Sequence, residues 1–261
     1  MVSIVVIEFN SLDDIKKCVD TVKKNSTDIE YEIIVSSNSC YPIKKQEEIV
    51  KDMPDVRWSF NEKNGGFGYG MNQGLKMARG EYLVIMNPDV EIRSSLSVLT
   101  DFLSKHKEVG AIAPQIVGHD GEIQDSCREF VTPRRFIMRQ VRRLFTKEVS
   151  VRAKRFDYSK TQTVDCVIGA FIMVTRDVYK KVGGLDDNYF MYAEDIDWCT
   201  RIWQNGYQVV YCPMAKVEYE GSRNARTKSK YAKIFMESHI KYWKKFGFVW
   251  GYPKYQPVVF D

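Results

Sequence analysis

The chain has 261 residues, 44% of them hydrophobic, enough to bury a substantial core as one large domain or a domain with an appendage. Its net charge is only +5, and its six cysteines include no C-x-x-C pair, which argues against a zinc cluster or disulfide scaffold and suits a reducing cytosol. The opening "MVSIVVIEFN" carries Glu8 inside a strand pattern rather than a signal-peptide form, and no apolar run is long enough to predict a membrane span.

From residue 2 to about 118, short β-type runs alternate with helical ones. "SIVVI" (3–7) precedes "SLDDIKKCVDTVKK", where Ser11 and Asp14 form a capping-box signature and Ile15, Val19 and Val22 recur at helical spacing. Next come "YEIIVS", a charged helical stretch at 44–51, "VRWSF", a glycine-rich loop leading into "MNQGLKMARG", and "EYLVIM". A helical stretch at 95–105 then precedes "VGAIAPQIV". This alternation predicts an α/β fold with a mostly parallel, Rossmann-like sheet flanked by helices. Such sheets bind ligands beyond the carboxyl ends of their strands, where Asn10, Ser36 to Ser39 and Asn87 to Asp89 fall.

Residues 119–160 break the rhythm. "CREFVTPRRFIMRQVRRLFTKEVSVRAKR" is dense in Arg and Lys, with Phe136, Ile137, Val141, Leu144 and Phe145 interleaved. It reads either as a solvated, partly helical insertion or as a basic amphipathic surface for anionic lipid headgroups or an acidic acceptor. A β run returns at 164–175, then a helix, the turn "GGLDDNYF", the helix "EDIDWCTRIWQNG" and the strand "YQVVYCP". A basic, aromatic helical tail covers 225–248. No repeat or low-complexity linker interrupts the chain, so a single domain over 1–261 is expected: 1–118, 119–224 and a tail at 225–261.

Three constellations can carry chemistry. In "NGGFGYGMNQG" (64–74), glycines before a helix can bring backbone N–H groups to a phosphate, but the spacing is not G-x-G-x-x-G and the loop follows the third strand, which disfavours a nicotinamide site. In "YAEDIDWCTR" (192–201), Glu194, Asp195 and Asp197 occupy a first helical turn, where acids suit the helix dipole and Asp197 reaches Arg201 at i,i+4. The preceding "GGLDDNYFMYA" is longer and more aromatic than a cap requires, and a loop setting Phe190 and Tyr192 beside a carboxylate can bind a sugar and hold a general base. In "NPD" (87–89), Pro88 ends a strand and Asp89 follows, which is either a turn or a single carboxylate for a hard cation shared with phosphate oxygens.

In order and spacing, "VSIVVIEFNS", "NGGFGYGMNQGLKMARGEYLVIMNPDV" and "VIGAFIMVTRDVYKKVGGLDDNYFMYAEDIDWCTRIWQNGYQVVYCPMAKV" resemble the inverting family 2 glycosyltransferases of GT-A fold, in their rhamnosyltransferase-like branch. The likeness spans most of residues 2–217. It implies a nucleotide-sugar held by Phe9, Asn10, Ser36, Asn38, Asn64, Gly65, Gly66, Asn72, Asn87 and Asp89. It places Gly169, Asp186, Phe190, Tyr192 and Asp197 on the acceptor side, with Asp195 as general base beside Glu194, and C-terminal helices on that side too. It also implies Mg²⁺ or Mn²⁺ at Asp89.

The chain departs from that family at three positions. Glu8 stands where Thr is common, Ser36 where an Asp meets the nucleobase, and Tyr219 where a metal-ligating His is usual, with Glu218 and Glu220 as substitutes if the strand shifts register. The implied partners are a nucleotide-sugar donor, a glycan or lipid-linked acceptor and, through the basic stretches 128–155 and 225–248, the inner face of the plasma membrane from the cytoplasm. No recognised nucleic-acid-binding module is present. The competing expectation is a degenerate, non-catalytic sugar- or nucleotide-binding module, which the three departures favour and the "ED" and "NPD" residues oppose.

Overall fold

The structure is a computed structural model, and it describes residues 1–145, 156–220, 229–247, 255 and 257–260. Twelve strands are described: β1 (Val2–Glu8), β2 (Tyr31–Ser37), β3 (Val56–Phe60), β4 (Tyr82–Met86), β5 (Glu91–Ile92), β6 (Val109–Val117), β7 (Cys127–Arg128), β8 (Thr161–Thr163), β9 (Cys166–Val167), β10 (Phe171–Thr175), β11 (Gln208–Glu218) and β12 (Val259–Phe260). The helices are α1 (Leu12–Asn25), α2 (Ile43–Asp52), α3 (Phe67–Met77), α4 (Ser97–Lys105), α5 (Pro133–Phe145), α6 (Arg176–Val182), α7 (Glu194–Gln204) and α8 (Ser229–Phe246).

The main sheet runs β12-β8-β11-β6-β10-β4-β1-β2-β3, with β5 on β11, and β7 pairs β9 in a small second sheet. Every residue of β1 is buried, as expected for a central parallel strand covered on both faces. The pleat divides its side chains between two cores. Val5 and Ile7 face one cluster with Met71 and Leu75 of α3 and Trp198 and Ile202 of α7. Ile4 and Val6 face the other, with Ile15, Val19 and Val22 of α1 and Leu99 and Leu103 of α4. The layered α/β architecture is therefore the expected one, and β3-β2-β1-β4 is wholly parallel.

The strand order beyond β4 differs from a simple parallel series. β10 inserts between β4 and β6 and runs antiparallel to both. The apolar run 164–175 is not one strand: it splits into β9 and β10 around residues 168–170, whose backbone turns at the rim. The last strand runs beyond the expected 207–213 to Glu218, pairing β6 in parallel with a register irregularity between Cys212 and Lys216. The capping box at Ser11 does not form. Its hydroxyl accepts the Phe9 N–H at 3.4 Å and its own N–H donates to Glu8 Oε1 at 2.9 Å, so the buried carboxylate of β1 organises this turn. Of the expected basic stretches, 146–155, 225–228 and 248 lie outside the described residues.

The glycine run serves packing. A Cβ on Gly74 would lie 2.4 Å from Val5 Cγ1, and one on Gly70 2.5 Å from Ile7 Cδ1, so α3 can lie this close to β1 only without side chains there. Gly66, at φ +93°, sits against the backbone of Phe190, whose carbonyl accepts the Phe67 N–H at 2.9 Å. A Cβ at Gly66 would stand 2.1 Å from that carbonyl oxygen. Gly121 also has positive φ, +79°, but nothing lies within 4 Å of its would-be Cβ. Gly121→Ala should therefore cost about 1 kcal/mol of backbone strain, whereas Gly66→Ala should cost clearly more, about 3 kcal/mol or above. Urea unfolding of the two variants checks this, and equal losses would mean that the Gly66–Phe190 contact is not the constraint described.

Candidate active site

The rim of the sheet gathers three segments distant in sequence. Because β10 is antiparallel to β4, with Phe171 opposite Met86, the residues before β10 lie beside those after β4. The Asn87 N–H donates to the Ala170 carbonyl at 3.0 Å. One residue earlier, the Gly169 N–H donates to Asp195 Oδ2 at 3.0 Å. A Cβ at Gly169 would fall 3.3 Å from the Asp195 Cβ, so glycine lets the acid sit this close. Asp195 Oδ1 accepts the Ile196 N–H at 2.8 Å, which fixes the carboxylate at the start of α7.

The approach to α7 is bent sharply. Tyr192 and Ala193 have φ of +70° and +67°, a conformation costly for non-glycine residues and typical of functional turns. The other non-glycine residues of positive φ among those described are Asn10 and Cys40, just beyond the tips of β1 and β2. All four lie in loops at the carboxyl ends of strands or next to Asp195.

Tyr219 follows β11 directly, its N–H donating to the Val117 carbonyl at 2.9 Å. Its hydroxyl accepts from Asn87 Nδ2 at 3.1 Å. Burial, followed by the charge of Asp89, pushes its phenol up to about 12, and Asp195 adds to the rise. The charges of both acids named by the motifs are thus felt at one phenol. Asp89 is open at the rim, and no salt bridge reaches it among the described residues. Desolvation by the surrounding protein, with the charge of Asp14, raises its carboxyl. Desolvation also raises Asp195, opposed by the N–H groups of Gly169 and Ile196 and by the positive charge of Arg128. Glu194 is 7% exposed, its Oε2 has no hydrogen-bond partner, and burial beside Asp195 pushes it up to about 8. The two acids titrate as a linked pair, in which one proton is retained well above the ordinary carboxylate range.

Several expected site residues have structural partners. Asn72 donates to the Leu185 carbonyl at 2.7 Å and to Asp187, and accepts the Leu185 N–H at 3.0 Å, so its amide holds the loop before α7. Asn38 is buried, accepts from Asn61 Nδ2 at 2.9 Å and donates to the Gly66 carbonyl at 2.9 Å. Ser36 is fully buried beneath α3, accepting from Asn61 Nδ2 at 2.9 Å, so it is not at the strand tip. That place belongs to Ser37, opposite Glu8 in the β1–β2 register. The N-terminus of α3 is closed as an anion site at two groups, with the Gly66 N–H given to Asn64 Oδ1 at 3.1 Å and the Phe67 N–H to Phe190. A Cβ at Gly65 would meet the Tyr69 ring, so this glycine too serves packing.

On the other side, Asp197 is wholly buried and saturated by Arg201 Nε at 2.6 Å, Lys245 Nζ at 2.6 Å and the Tyr189 hydroxyl at 3.2 Å, which removes it from any acceptor surface. Asp186 is held by Lys245 Nζ at 2.6 Å and the Asn188 N–H at 2.9 Å. Phe190 and Phe9 remain exposed at the rim, at 40% and 53%. Tyr192 meets the ring of Phe235 edge-on.

The register irregularity in β11 does not bring a glutamate inward. Glu218 is tied to His119 Nδ1 at 2.5 Å and Arg93 Nε at 2.9 Å, and Glu220 accepts the His119 N–H at 3.3 Å. Among the described residues no group of three or more His, Cys, Asp or Glu is placed to hold a metal. The donor set fits a cation only if it is shared between Asp89 and a diphosphate.

Sequence reasoning missed the residues that surround Glu8. This fully buried carboxylate accepts from Ser37 Oγ, Ser39 Oγ at 2.9 Å, the Tyr41 hydroxyl at 3.1 Å and the Ser11 N–H. The density of hydroxyls in "SSNSCY" was the only available signal. Arg128, whose charge acts on Asp195, carried no motif at all.

Comparison with known proteins identifies the fold and the family. The fold is the GT-A fold of nucleotide-sugar-dependent glycosyltransferases. GalNAc-T7 solved with UDP, GalNAc and Mn²⁺ superposes with a TM-score of 0.65 at 17% identity, over 94% of this chain and 47% of that one. The mannosyltransferase PcManGT of Pyrobaculum calidifontis, solved with GDP-Man and Mn²⁺, gives 0.64 at 17% identity, over 97% and 65%. Residues 3–183 match "Glycosyl transferase family 2", and the chain belongs to that family. Residues 123–253 match "Glycosyl transferase family group 2". An N-acetylglucosaminyl-diphospho-decaprenol L-rhamnosyltransferase of Mycobacterium tuberculosis is 31% identical over 64% of this chain, which spans 60% of that protein's length. The rhamnosyltransferase WbbL of Escherichia coli is 26% identical over 93% of this chain and 92% of its own. The chain is thus a glycosyl transferase family 2 protein that resembles rhamnosyltransferases among its relatives.

The acid pair gives a measurable signature. The folded chain keeps a proton on Glu194 that the unfolded chain releases, so stability should fall as pH rises from the ordinary glutamate range to about 8. Glu194→Gln should flatten that fall, which in the wild type approaches ~1.4 kcal/mol per pH unit at its steepest. Urea unfolding at several pH values compares the slopes, and identical slopes would remove the buried proton from Glu194.

Proposed function

We propose that this chain transfers a hexose, with rhamnose the first candidate, from a nucleoside-diphosphate donor to a hydroxyl of a polysaccharide or lipid-linked glycan, inverting the anomeric centre. The observation that carries this reading is the pair of bonds on adjacent residues, Asn87 N–H to the Ala170 carbonyl and Gly169 N–H to Asp195 Oδ2, which holds the "NPD" turn beside the acid at the start of α7. The names of the mycobacterial and E. coli relatives support rhamnose as the sugar. The UDP and GDP-Man complexes of the fold neighbours support a nucleotide donor.

Asp195 is the general base. Its carboxylate is fixed by two backbone N–H groups, and desolvation strengthens its proton affinity, which suits removal of a proton from an attacking hydroxyl. The acceptor oxygen attacks the anomeric carbon as the diphosphate leaves from the opposite face. Negative charge then grows on the departing diphosphate, beside Asp89. A divalent cation shared between Asp89 and the diphosphate would neutralise that charge. Tyr219, kept protonated, contributes a hydrogen-bond donor at the same place. The exposed Phe190 and the half-buried Tyr192 supply apolar faces for the acceptor sugar. The reaction takes place at the cytoplasmic face of the membrane if the acceptor is lipid-linked.

Asp195→Asn should bind a nucleoside diphosphate as tightly as the wild type but lose transfer by ~10²–10⁴-fold. Isothermal titration and a product assay read the two quantities separately, and near wild-type turnover would sink the assignment. Without nucleotide, Mn²⁺ should stay free in solution. With a nucleoside diphosphate it should become protein-bound, and Asp89→Ala should abolish that change in the Mn²⁺ paramagnetic resonance signal. Binding of Mn²⁺ by the nucleotide-free chain would contradict the shared site.

A further inference from the structure

Helix α5 has two incompatible faces. On one, Phe136 is buried against Phe235, His239 and Trp243 of α8, with ring centroids 6.3, 5.7 and 5.4 Å away. On the other, Ile137, Met138 and Val141 are 54%, 49% and 41% exposed. Water-facing helix positions normally carry polar side chains, so this stripe needs a cover. The helix sequence "PRRFIMRQVRRLF" holds five arginines and no acid. On α8, Met236 and Ile240, 40% and 38% exposed, follow the seam residues Phe235 and His239 by one position each.

Charge decides between the candidate covers. A second copy seated through a two-fold axis would bring one helix of five arginines and no acid against another, with only Arg135 paired among the described residues, to Glu129 and Asp165. A bilayer with anionic headgroups accepts apolar side chains at the acyl boundary and arginines at the phosphates together. No described helix is long and apolar enough to cross a membrane.

The location couples this face to the active site. Helix α8 is stapled to the loop before α7: Ser238 Oγ donates to the Met191 carbonyl at 2.8 Å and Lys241 Nζ to the Asn188 carbonyl at 2.8 Å. Lys245 reaches Asp186 and Asp197, the latter on α7 itself. A surface that seats α5 therefore fixes, through the Phe136 seam and α8, the height of the loop carrying Phe190 and Tyr192.

We propose that the exposed face of α5, supported by α8, docks on an anionic lipid surface and presents the Phe190–Asp195 segment to acceptors held in that surface. This deepens the reading of a lipid-linked acceptor and rests on it only for the purpose of docking, not for the docking itself.

Vesicle flotation tests the proposal. The full chain should float with vesicles of phosphatidylcholine containing about a quarter phosphatidylglycerol, and not with phosphatidylcholine alone. The combined variant Ile137→Ser, Met138→Ser and Val141→Ser changes only exposed positions, so its melting temperature should match the wild type. It should bind anionic vesicles at least about tenfold more weakly, and Arg134→Glu should weaken binding as well. Absence of flotation at low salt, or unchanged flotation of the triple variant, would overturn the proposal. So would a wild-type dimer in light scattering that the triple variant dissociates while neither protein floats, because a second copy would then be the cover. Transfer to a short water-soluble acceptor should be unaffected in the triple variant. If the wild type transfers no sugar, the proposed function fails while flotation still decides the docking face.

Discussion

The rim depends on one pairing, the antiparallel contact of β10 with β4. A parallel neighbour would have carried its N-terminal end to the far side of the sheet. The antiparallel one brings residues 168–170 to the carboxyl end of β4, where the Asn87 N–H meets the Ala170 carbonyl and the Gly169 N–H meets Asp195. Two hydrogen bonds on adjacent residues, one between backbone groups and one from a backbone N–H to a carboxylate, thus tie the "NPD" turn to the acid at the start of α7. A glycine at 169 is the condition for this, because a Cβ there would press on Asp195 at 3.3 Å.

A second seam holds the halves of the chain together. Gly66 and Phe67 lie on the Phe190 backbone, and Asn72 holds the Leu185 amide and carbonyl. The loop that approaches Asp195 is therefore fixed from the donor-side helix α3 on one flank and, through Lys245, from α8 on the other. This over-determination is what allows Tyr192 and Ala193 to remain in the left-handed region, since strain of ~1–3 kcal/mol per residue persists only where the surroundings enforce it. It also holds the buried Glu194 next to the partly exposed Asp195 at the start of α7.

What the sequence discloses follows from the range of each signal. Buried parallel strands make continuous apolar runs and helices repeat at their own period, so the elements and the α/β class are legible. Which strand lies beside which is a long-range matter, and the run at 164–175 gives no hint that it divides at Gly169 or that β10 is antiparallel. The glycines of residues 64–74 announce close approach but not the partners, which in the structure include β1 and Phe190. Asp195 and Asp197 look alike in sequence, yet they lie about 200° apart around α7. One faces the rim and the other the core, where Arg201 at i,i+4, which the sequence did reveal, neutralises it. Ser36 and Ser37 are separated by the same logic in a strand, one beneath α3 and the other opposite Glu8.

Tyr219 alters how charge is managed at the rim. A neutral imidazole offers a lone pair to a cation, whereas this phenol already uses its oxygen to accept from Asn87 and retains its proton because burial and two nearby carboxylates oppose ionisation. Its available function is donation. The neighbouring glutamates cannot compensate, since Glu218 is engaged by Arg93 and His119. The protein therefore contributes to this place one open carboxylate and one fixed neutral donor. A cation held there would need most of its oxygen ligands from a diphosphate and from water.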